Sequence, residues 1–316
     1  MKLSKKLRGN LLLILTAFIW GVSFVAQSVG MEYVGPFTFN ATRFFLGGAV
    51  LLPLVWRNAK RARRQNGGQA PVPLKTVLLG GFLCGVALFI ASTLQQLGIQ
   101  TTSPGKAGFI TALYIVIVPL LGLFLKKKPP VLVWIGVALA AAGMALLCLN
   151  EGFSISRGDT LVFLCAVCFS FHILIIDHFS PKADGVTLSC IQFFVSGFAS
   201  LILMLVFETP AAAQIKDAWM PIAYSGVLSC GVAYTLQVVA QKDTDPAVAS
   251  LLLSLESVFA VLGGGVLLHQ WLSAREALGC VLVFAAIILA QIDPAQLRRR
   301  LKGGQSPSES EPNPEK

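Results

Sequence analysis

The apolar residues of this 316-residue chain fall in long runs, which short polar segments separate. This pattern is typical of transmembrane helices, because about 20 consecutive apolar residues are needed to cross the hydrocarbon core of a bilayer. We predict an all-α integral membrane protein with ten spans, near residues 11–31, 37–56, 75–97, 103–125, 131–149, 159–177, 185–207, 219–240, 247–268 and 275–291.

Two parts of the sequence occur twice, in the same order along the chain. Residues 38–48 resemble 187–197 at an offset of 149, and residues 104–122 resemble 246–264 at an offset of 142. We therefore predict two five-helix repeats. Since each repeat has an odd number of helices, the second must cross the membrane in the opposite direction. Two inverted repeats around a central cavity are typical of secondary transporters, which bind their substrate between the repeats.

The predicted organisation has four parts. A cytoplasmic N-terminus (1–10) precedes the first repeat (11–149) and the second, inverted repeat (150–292). The remaining segment (293–316) ends in a polar stretch with no apolar residue to bury, so we expect a disordered cytoplasmic tail.

Basic residues are concentrated on one side of the predicted topology. With both termini in the cytoplasm, the inner segments hold 20 of the 25 Lys and Arg residues, and the outer segments hold four. This asymmetry is the positive-inside signal, and it accounts for the net charge of +10 without nucleic-acid binding. We therefore predict a multi-pass protein of the plasma membrane. We interpret the basic loop 57–73 as a topology signal, with binding of anionic lipid as the alternative.

No sequence pattern indicates a cofactor, a metal or a nucleotide. The seven cysteines show no pairing pattern, and Cys165 and Cys168 lie mid-span, where a zinc or redox role is not expected. The glycine triplet at 263–265 lacks the Lys-Ser/Thr ending of a phosphate-binding loop. We therefore do not expect ATP to be the energy source.

Short motifs in the chain resemble a known family. The motif Trp20-Gly21-x-Ser23-Phe24, the motif Arg43-Phe44-Phe45 and the small-residue-rich spans 4–5 and 9–10 are similar to the EamA-type branch of the drug/metabolite transporter superfamily. The resemblance covers residues 10–292. It implies ten helices, a cavity lined mainly by spans 1–4 and 6–9, and spans 5 and 10 at the periphery. It also implies a small metabolite as the substrate and favours export over uptake.

One position in each half departs from that family. A Gly-Glu pair often precedes the last helix of each repeat, whereas Lys127 and Gln270 stand at the glutamate positions here. We expect this change to affect local structure at the helix ends rather than transport.

Two charged residues lie well inside predicted spans, where each costs at least about 2.5–3.5 kcal/mol. Arg43 in span 2 and Glu256 in span 9 come from opposite repeats. The functional interpretation is a cavity pair, in which Arg43 binds a carboxylate or phosphate, or Glu256 binds an amine or a coupling proton. The alternatives are a structural ion pair between the two, or an Arg43 that snorkels to the outer headgroups.

The repeat offsets give these residues symmetric partners. Glu256 corresponds to Tyr114, Arg43 to Gln192, and His172 to Ser23. If the cavity lies on a pseudo-twofold axis, all six residues face one another across it. His172 suits proton relay because imidazole titrates near neutrality, but it equally suits a hydrogen bond to a neighbouring helix.

The other polar and aromatic residues of the spans have two interpretations each. Trp20 and Tyr234 either stack on a substrate or pack against neighbouring helices. We favour packing or interface anchoring for both, and also for the glutamines at the ends of spans 3 and 8, Gln95, Gln96, Gln237 and Gln241. Pro119 removes a backbone hydrogen bond within span 4, so we predict a kink there that contributes to a gate.

Together these features predict a secondary transporter of a small polar or amphipathic, amino-acid-like metabolite. It would work by alternating access as an exporter or exchanger, driven by a coupling proton, another ion or substrate exchange. The sequence is compatible with a monomer and with a homodimer. One alternative is a membrane enzyme that acts on lipid or isoprenoid, although the chain lacks an Asp-Asp-x-x-Asp cluster. The other is a non-transporting sensor or scaffold.

Overall fold

The computed structural model describes residues 5–65, 73–102, 104–127, 129–148, 156–268 and 273–291, and these residues form helices and short connections without strands. The first half contains α1 (Lys5–Gly30), α2 (Pro36–Gln65), α3 (Leu74–Ile99), α4 (Pro104–Thr111), α5 (Tyr114–Phe124) and α6 (Val131–Cys148). The second half contains α7 (Arg157–Phe179), α8 (Gly185–Phe207), α9 (Ala212–Asp217), α10 (Trp219–Ala223), the π-helix π1 (Tyr224–Tyr234), α11 (Thr235–Gln241), α12 (Pro246–Leu253), α13 (Leu255–Leu268) and α14 (Ala274–Gln291). The predicted tail (293–316) and Gln270 lie outside the described residues.

The helices have the length and composition of membrane spans. Eight helical segments are long and apolar enough to cross a bilayer. Two shorter apolar helices, Val131–Gly143 and Ala277–Leu289, coincide with the predicted fifth and tenth spans. The chain is therefore a multi-pass membrane protein, and the total of ten spans stays a prediction.

Two of the spans are interrupted at equivalent points. The fourth span breaks at Ala112 and Leu113, between α4 and α5, and the ninth breaks at Ser254, between α12 and α13. After each break the backbone closes a tighter turn, in which an N–H bonds to the carbonyl three residues earlier: Ile115 to Ala112 at 3.0 Å and Ser257 to Ser254 at 3.1 Å. Positions 112 and 254 are separated by the repeat offset of 142.

Side-chain hydroxyls stabilise the second break. Ser254 Oγ donates to the carbonyl of Leu251, and Ser257 Oγ donates to the carbonyl of Ser254, both at 2.7 Å. In lipid, backbone groups freed by a break must find a partner within the protein, and serine hydroxyls supply one. The serine-rich sequence therefore tolerates an interruption that hydrocarbon would otherwise penalise.

The break in the fourth span does not lie at Pro119, where the sequence predicted a kink. Pro119 is buried within the continuous helix α5, after the break. The equivalent break at Ser254 has a valine, Val261, at the position that corresponds to Pro119. A proline is therefore not required for the interruption. Pro119 still removes one backbone hydrogen bond from the first turns of α5, which follow the interruption.

The helices pack around the two interrupted spans. α3 packs against α7 and α8, α2 against α8 and π1, and α1 against α13, π1 and α11. α6 packs chiefly against α14, and both also contact the interrupted spans. Glycines allow the closest approaches. A Cβ placed on Gly21 of α1 would lie 2.4 Å from Phe259 Cβ and 2.8 Å from the Glu256 carbonyl oxygen of α13. Small residues commonly allow such close packing of membrane helices.

We expect Gly21→Ala to destabilise the fold, because its new methyl group overlaps backbone and Cβ atoms that cannot move independently of α13. Overpacking of this kind typically costs about 1–3 kcal/mol. The matched control is Gly263→Ala, whose Cβ would meet its nearest neighbour, Val22, at 3.8 Å. Thermal unfolding in detergent should show a lower midpoint for Gly21→Ala alone. Equal midpoints for the two variants would contradict the close α1–α13 packing.

Candidate substrate-binding cavity

A cavity lies between the two halves. Both halves contribute to its wall: α1 to α5 from the first, and α7, π1, α11, α12 and α13 from the second.

Glu256 and Tyr114 join the two interrupted spans at the cavity wall. Each lies just after a break, Tyr114 as the first residue of α5 and Glu256 in the first turn of α13. The Tyr114 hydroxyl donates a hydrogen bond of 2.7 Å to Glu256 Oε1. Glu256 is only 3% exposed. The two residues that the repeat offset paired are therefore in direct contact, and both line the cavity.

Arg43 is held at the cavity by uncharged partners. Its Nη1 donates to Gln27 Oε1 at 2.9 Å, and its guanidinium carbon lies 4.9 Å from the centre of the Phe44 ring and 5.6 Å from that of Phe39. The side chain is 2% exposed, and its Nε has no hydrogen-bond partner in the described part of the protein. The guanidinium therefore keeps a donor for a further acceptor.

Two alternatives for Arg43 are wrong. Among the described residues, the ion pairs within 4.0 Å join Lys106 to Asp159 and Lys127 to Asp177, so Arg43 and Glu256 form no structural ion pair. Nor does Arg43 reach outward to headgroups, because it is buried against Gln27 and lines the cavity.

His172 and Gln192 lie behind the cavity wall rather than on it. His172 Nε2 donates to Gln192 Oε1 at 3.0 Å, because that oxygen can only accept. The imidazole ring meets Tyr234 edge-on, with ring centres 6.0 Å apart. Of the three predicted symmetric pairs, the structure therefore places Tyr114, Glu256, Arg43 and Ser23 on the cavity, and places His172 and Gln192 in the layer behind.

Trp20 and Tyr234 form an aromatic wall. Their ring centres are 4.4 Å apart, and the Trp20 Nε1 donates to the Ser229 carbonyl at 3.4 Å. Both rings line the cavity. Packing and cavity lining, which the sequence presented as alternatives, occur together. The wall also uses the wider turns of π1, which carries Ser229 and Tyr234, and π-helical segments are frequent at functional sites.

Several polar residues of the cavity were not among the predicted site residues. Gln95 donates to Thr111 Oγ1 at 3.2 Å, Gln27 orients Arg43, and Gln237 keeps an amide oxygen without a partner among the described residues. The sequence interpretation of Gln95 and Gln237 was packing or interface anchoring. The offset of 142, which also relates these two glutamines, was the signal that would have placed them together.

The repeat offsets relate much of the remaining wall. Five pairs of equivalent positions have both members on the cavity: Trp20 and Phe169, Phe24 and Ile173, Gln95 and Gln237, Thr111 and Leu253, and Tyr114 and Glu256.

Ion pairs flank the cavity at both ends of α7. Asp159, near its start, accepts bonds from Lys106 at 2.6 Å and from Thr102 at 3.0 Å. Asp177, near its end, pairs with Lys127 of the first half. Lys127 is one of the two residues that depart from the glutamate pattern, and here it contacts the opposite half.

The two halves of the chain match the same family model, that of the EamA-like transporter family, over residues 7–149 and 156–291. The chain belongs to the EamA-like transporter family. An uncharacterized transporter of Archaeoglobus fulgidus is 30% identical over 297 residues, which cover 91% of this chain and 87% of that protein. The uncharacterized inner membrane transporter YedA of Escherichia coli is 24% identical, over 86% and 87% of the two chains.

A solved crystal structure has the same fold. It superposes with a TM-score of 0.73 at 20% sequence identity and covers 93% of this chain and 98% of that one. At this identity the likeness shows the fold alone.

We expect cysteine labelling to distinguish cavity-lining from merely buried positions within α12. In a cysteine-free background, Leu253→Cys should react with a small water-soluble maleimide, because Leu253 lines the cavity. Leu251→Cys, on the same helix and also buried, does not line the cavity and should stay unlabelled. Mass spectrometry would measure the modified fraction. Labelling of both positions, or of neither, would contradict an accessible cavity at this depth.

Proposed function

We propose that the protein is a secondary active transporter of a small amino-acid-like solute, which it moves across the plasma membrane by alternating access. The observation that carries the proposal is a cavity between the halves that contains one guanidinium, from Arg43, and one carboxylate, from Glu256. Relatives over most of the chain are named transporters, which agrees with this class of function rather than with an enzyme.

The pairing of charges favours a zwitterionic or similarly polar substrate. Arg43 lines the cavity, its Nε has no partner among the described residues, and guanidinium groups bind carboxylates through charge-assisted hydrogen bonds. Glu256, from the other half, is placed for an ammonium group or a proton. The aromatic and aliphatic wall, which includes Trp20, Phe169 and Tyr234, suits an apolar substituent between these groups.

The helix packing supports an inverted repeat. α6 packs against α14, and α2 packs against α8. In both cases a helix of the first half contacts the equivalent helix of the second half. α3 packs against α7, as π1 and α11 pack against α1, and α5 packs against α7, as α13 packs against α1. The separate match of each half to one family model, and the five equivalent pairs on the cavity wall, support the same interpretation.

Alternating access would work through rocking of one half against the other around the fixed cavity. The ion pairs Lys106–Asp159 and Lys127–Asp177 join the halves at opposite ends of α7, so opening either side requires one pair to separate. The breaks between α4 and α5 and between α12 and α13 allow the ends of these spans to move separately from their centres.

Energy for uphill transport would come from a coupled proton or from substrate exchange. Glu256 can carry a proton in one state of the cycle and release it in the other, with Tyr114 as its hydrogen-bond partner. The family resemblance favours export, with both termini in the cytoplasm.

We expect Arg43→Gln to weaken binding of amino acids about tenfold or more, because a charge-assisted hydrogen bond to the substrate carboxylate contributes about 1.5–3 kcal/mol. The test is a thermal-shift titration of the purified protein with leucine, phenylalanine and their carboxamides, which lack the carboxylate. Wild-type protein should prefer the acids, and the variant should bind acids and amides alike. Arg63→Gln, which neutralises another exposed arginine of the same helix, is the control. An unchanged preference in Arg43→Gln would refute the assignment.

We expect Glu256→Gln to abolish transport in proteoliposomes, or to abolish its pH dependence, while the protein still inserts and folds. The amide keeps the shape of the side chain and can still accept from Tyr114, but it cannot exchange a proton or balance an ammonium group. Glu32→Gln, at an exposed carboxylate, is the matched control and should behave as wild type. Wild-type rates for Glu256→Gln across the pH range would sink the proposed role.

A further inference from the structure

Helix α2 is longer than a membrane span requires. Its 30 residues, Pro36–Gln65, correspond to about 45 Å of helix, whereas the hydrocarbon core is about 30 Å thick. Its last turns therefore extend beyond the hydrocarbon. In the predicted topology this end lies on the cytoplasmic side, at the level of the headgroups and just above them.

Four of the five basic residues on this extension form a row along one face, and the fifth, Arg63, lies off that row. Arg57, Lys60, Arg61 and Arg64 are spaced i, i+3, i+4 and i+7, so they follow one face of the helix, and we call them the basic stripe. All four side chains are exposed. Among the described residues, no carboxylate lies within ion-pair distance of any of them.

The surroundings orient the stripe toward the membrane surface. Asn58 faces the protein, since its amide donates to Asp184 at 3.5 Å, and the stripe occupies other faces of the helix. Trp56, one residue before the stripe, is 67% exposed, and Lys60 Nζ lies 5.0 Å from the centre of its ring. Exposed tryptophans are enriched at the interface between hydrocarbon and headgroups. Trp56 thus marks the depth at which the stripe begins.

A topology signal alone does not require this arrangement. The positive-inside rule depends on the number of Lys and Arg residues near a span and not on the helix face that carries them. Like charges at i and i+4 repel one another, so a one-sided stripe is unfavourable unless an anionic surface balances it. Clusters of four to eight basic residues next to a span are attracted to anionic lipids.

We infer that the basic stripe of α2, together with Trp56, binds the phosphate headgroups of anionic phospholipids in the adjoining leaflet. This site is separate from the cavity, because none of its residues lines the cavity. The inference therefore does not depend on the identity of the transported solute.

The decisive variant keeps the charge and changes only its arrangement. The variant exchanges two pairs of neighbouring residues: Ala59→Lys with Lys60→Ala, and Arg61→Ala with Ala62→Arg. It leaves the number of basic residues unaltered but moves two of them off the stripe. Alanine, lysine and arginine are all strong helix formers, so α2 should persist. Since the topology signal is preserved, the variant separates headgroup binding from orientation.

The experiment titrates the detergent-solubilised full-length protein with phosphatidylglycerol or phosphatidylcholine and measures the melting temperature. We expect phosphatidylglycerol to stabilise the wild type more than phosphatidylcholine, with an effect that weakens as salt is added. In the exchanged variant the apparent affinity for phosphatidylglycerol should fall about fivefold for each displaced charge. Its response to phosphatidylcholine should stay that of the wild type.

Three outcomes would overturn the inference. Equal affinity of the wild type and the exchanged variant for phosphatidylglycerol would show that the stripe is not the site. Equal stabilisation by both lipids would show no preference for anionic headgroups. Equal stabilisation by inorganic phosphate at the same concentration would indicate a free-anion site instead of a lipid site. None of these results bears on amino-acid binding at Arg43, so failure here is distinguishable from failure of the proposed transport function.

Discussion

The hydrogen bond between Tyr114 and Glu256 connects the two interrupted spans at the centre of the protein, and the cavity is organised around it. A carboxylate in a membrane span is costly, and so are backbone groups released by a helix break. Both are accommodated here at one place. The breaks bring the first turns of α5 and α13 to the same wall, where a hydroxyl from one half satisfies the acid from the other. Serine hydroxyls satisfy carbonyls around the break in the second half.

Arg43 is accommodated in a different way. No carboxylate neutralises it among the described residues. Instead Gln27 accepts one of its hydrogen bonds, and the rings of Phe39 and Phe44 lie within cation–π distance. Partners of this kind hold a guanidinium in place without cancelling its charge. A structural ion pair with Glu256 would have removed both charges from the cavity, and their separation leaves each one able to bind a polar group of a substrate.

The two halves share a scaffold but differ where a ligand would bind. The equivalent helices make equivalent contacts, and the breaks in the fourth and ninth spans fall at corresponding positions. On the cavity wall, however, a tyrosine corresponds to the glutamate, and the arginine on the wall corresponds to a glutamine, Gln192, that lies behind it. Even the layer behind the wall is unequal, because His172 and Gln192 bond to each other within the second half. The backbone geometry of the two halves is therefore equivalent, whereas the cavity side chains differ between them.

The sequence by itself determined the apolar spans, the family and the correspondence between Tyr114 and Glu256. These depend on local composition and on comparison of one half with the other, both of which can be read along the chain. Only the tertiary structure decided that Arg43 bonds to Gln27, that His172 lies behind the wall, and that the fourth span breaks before Pro119. A membrane helix is apolar on nearly every face, so its sequence does not reveal which face meets the cavity. That direction is set by packing between helices distant in sequence, such as the approach of α1 to α13 at Gly21.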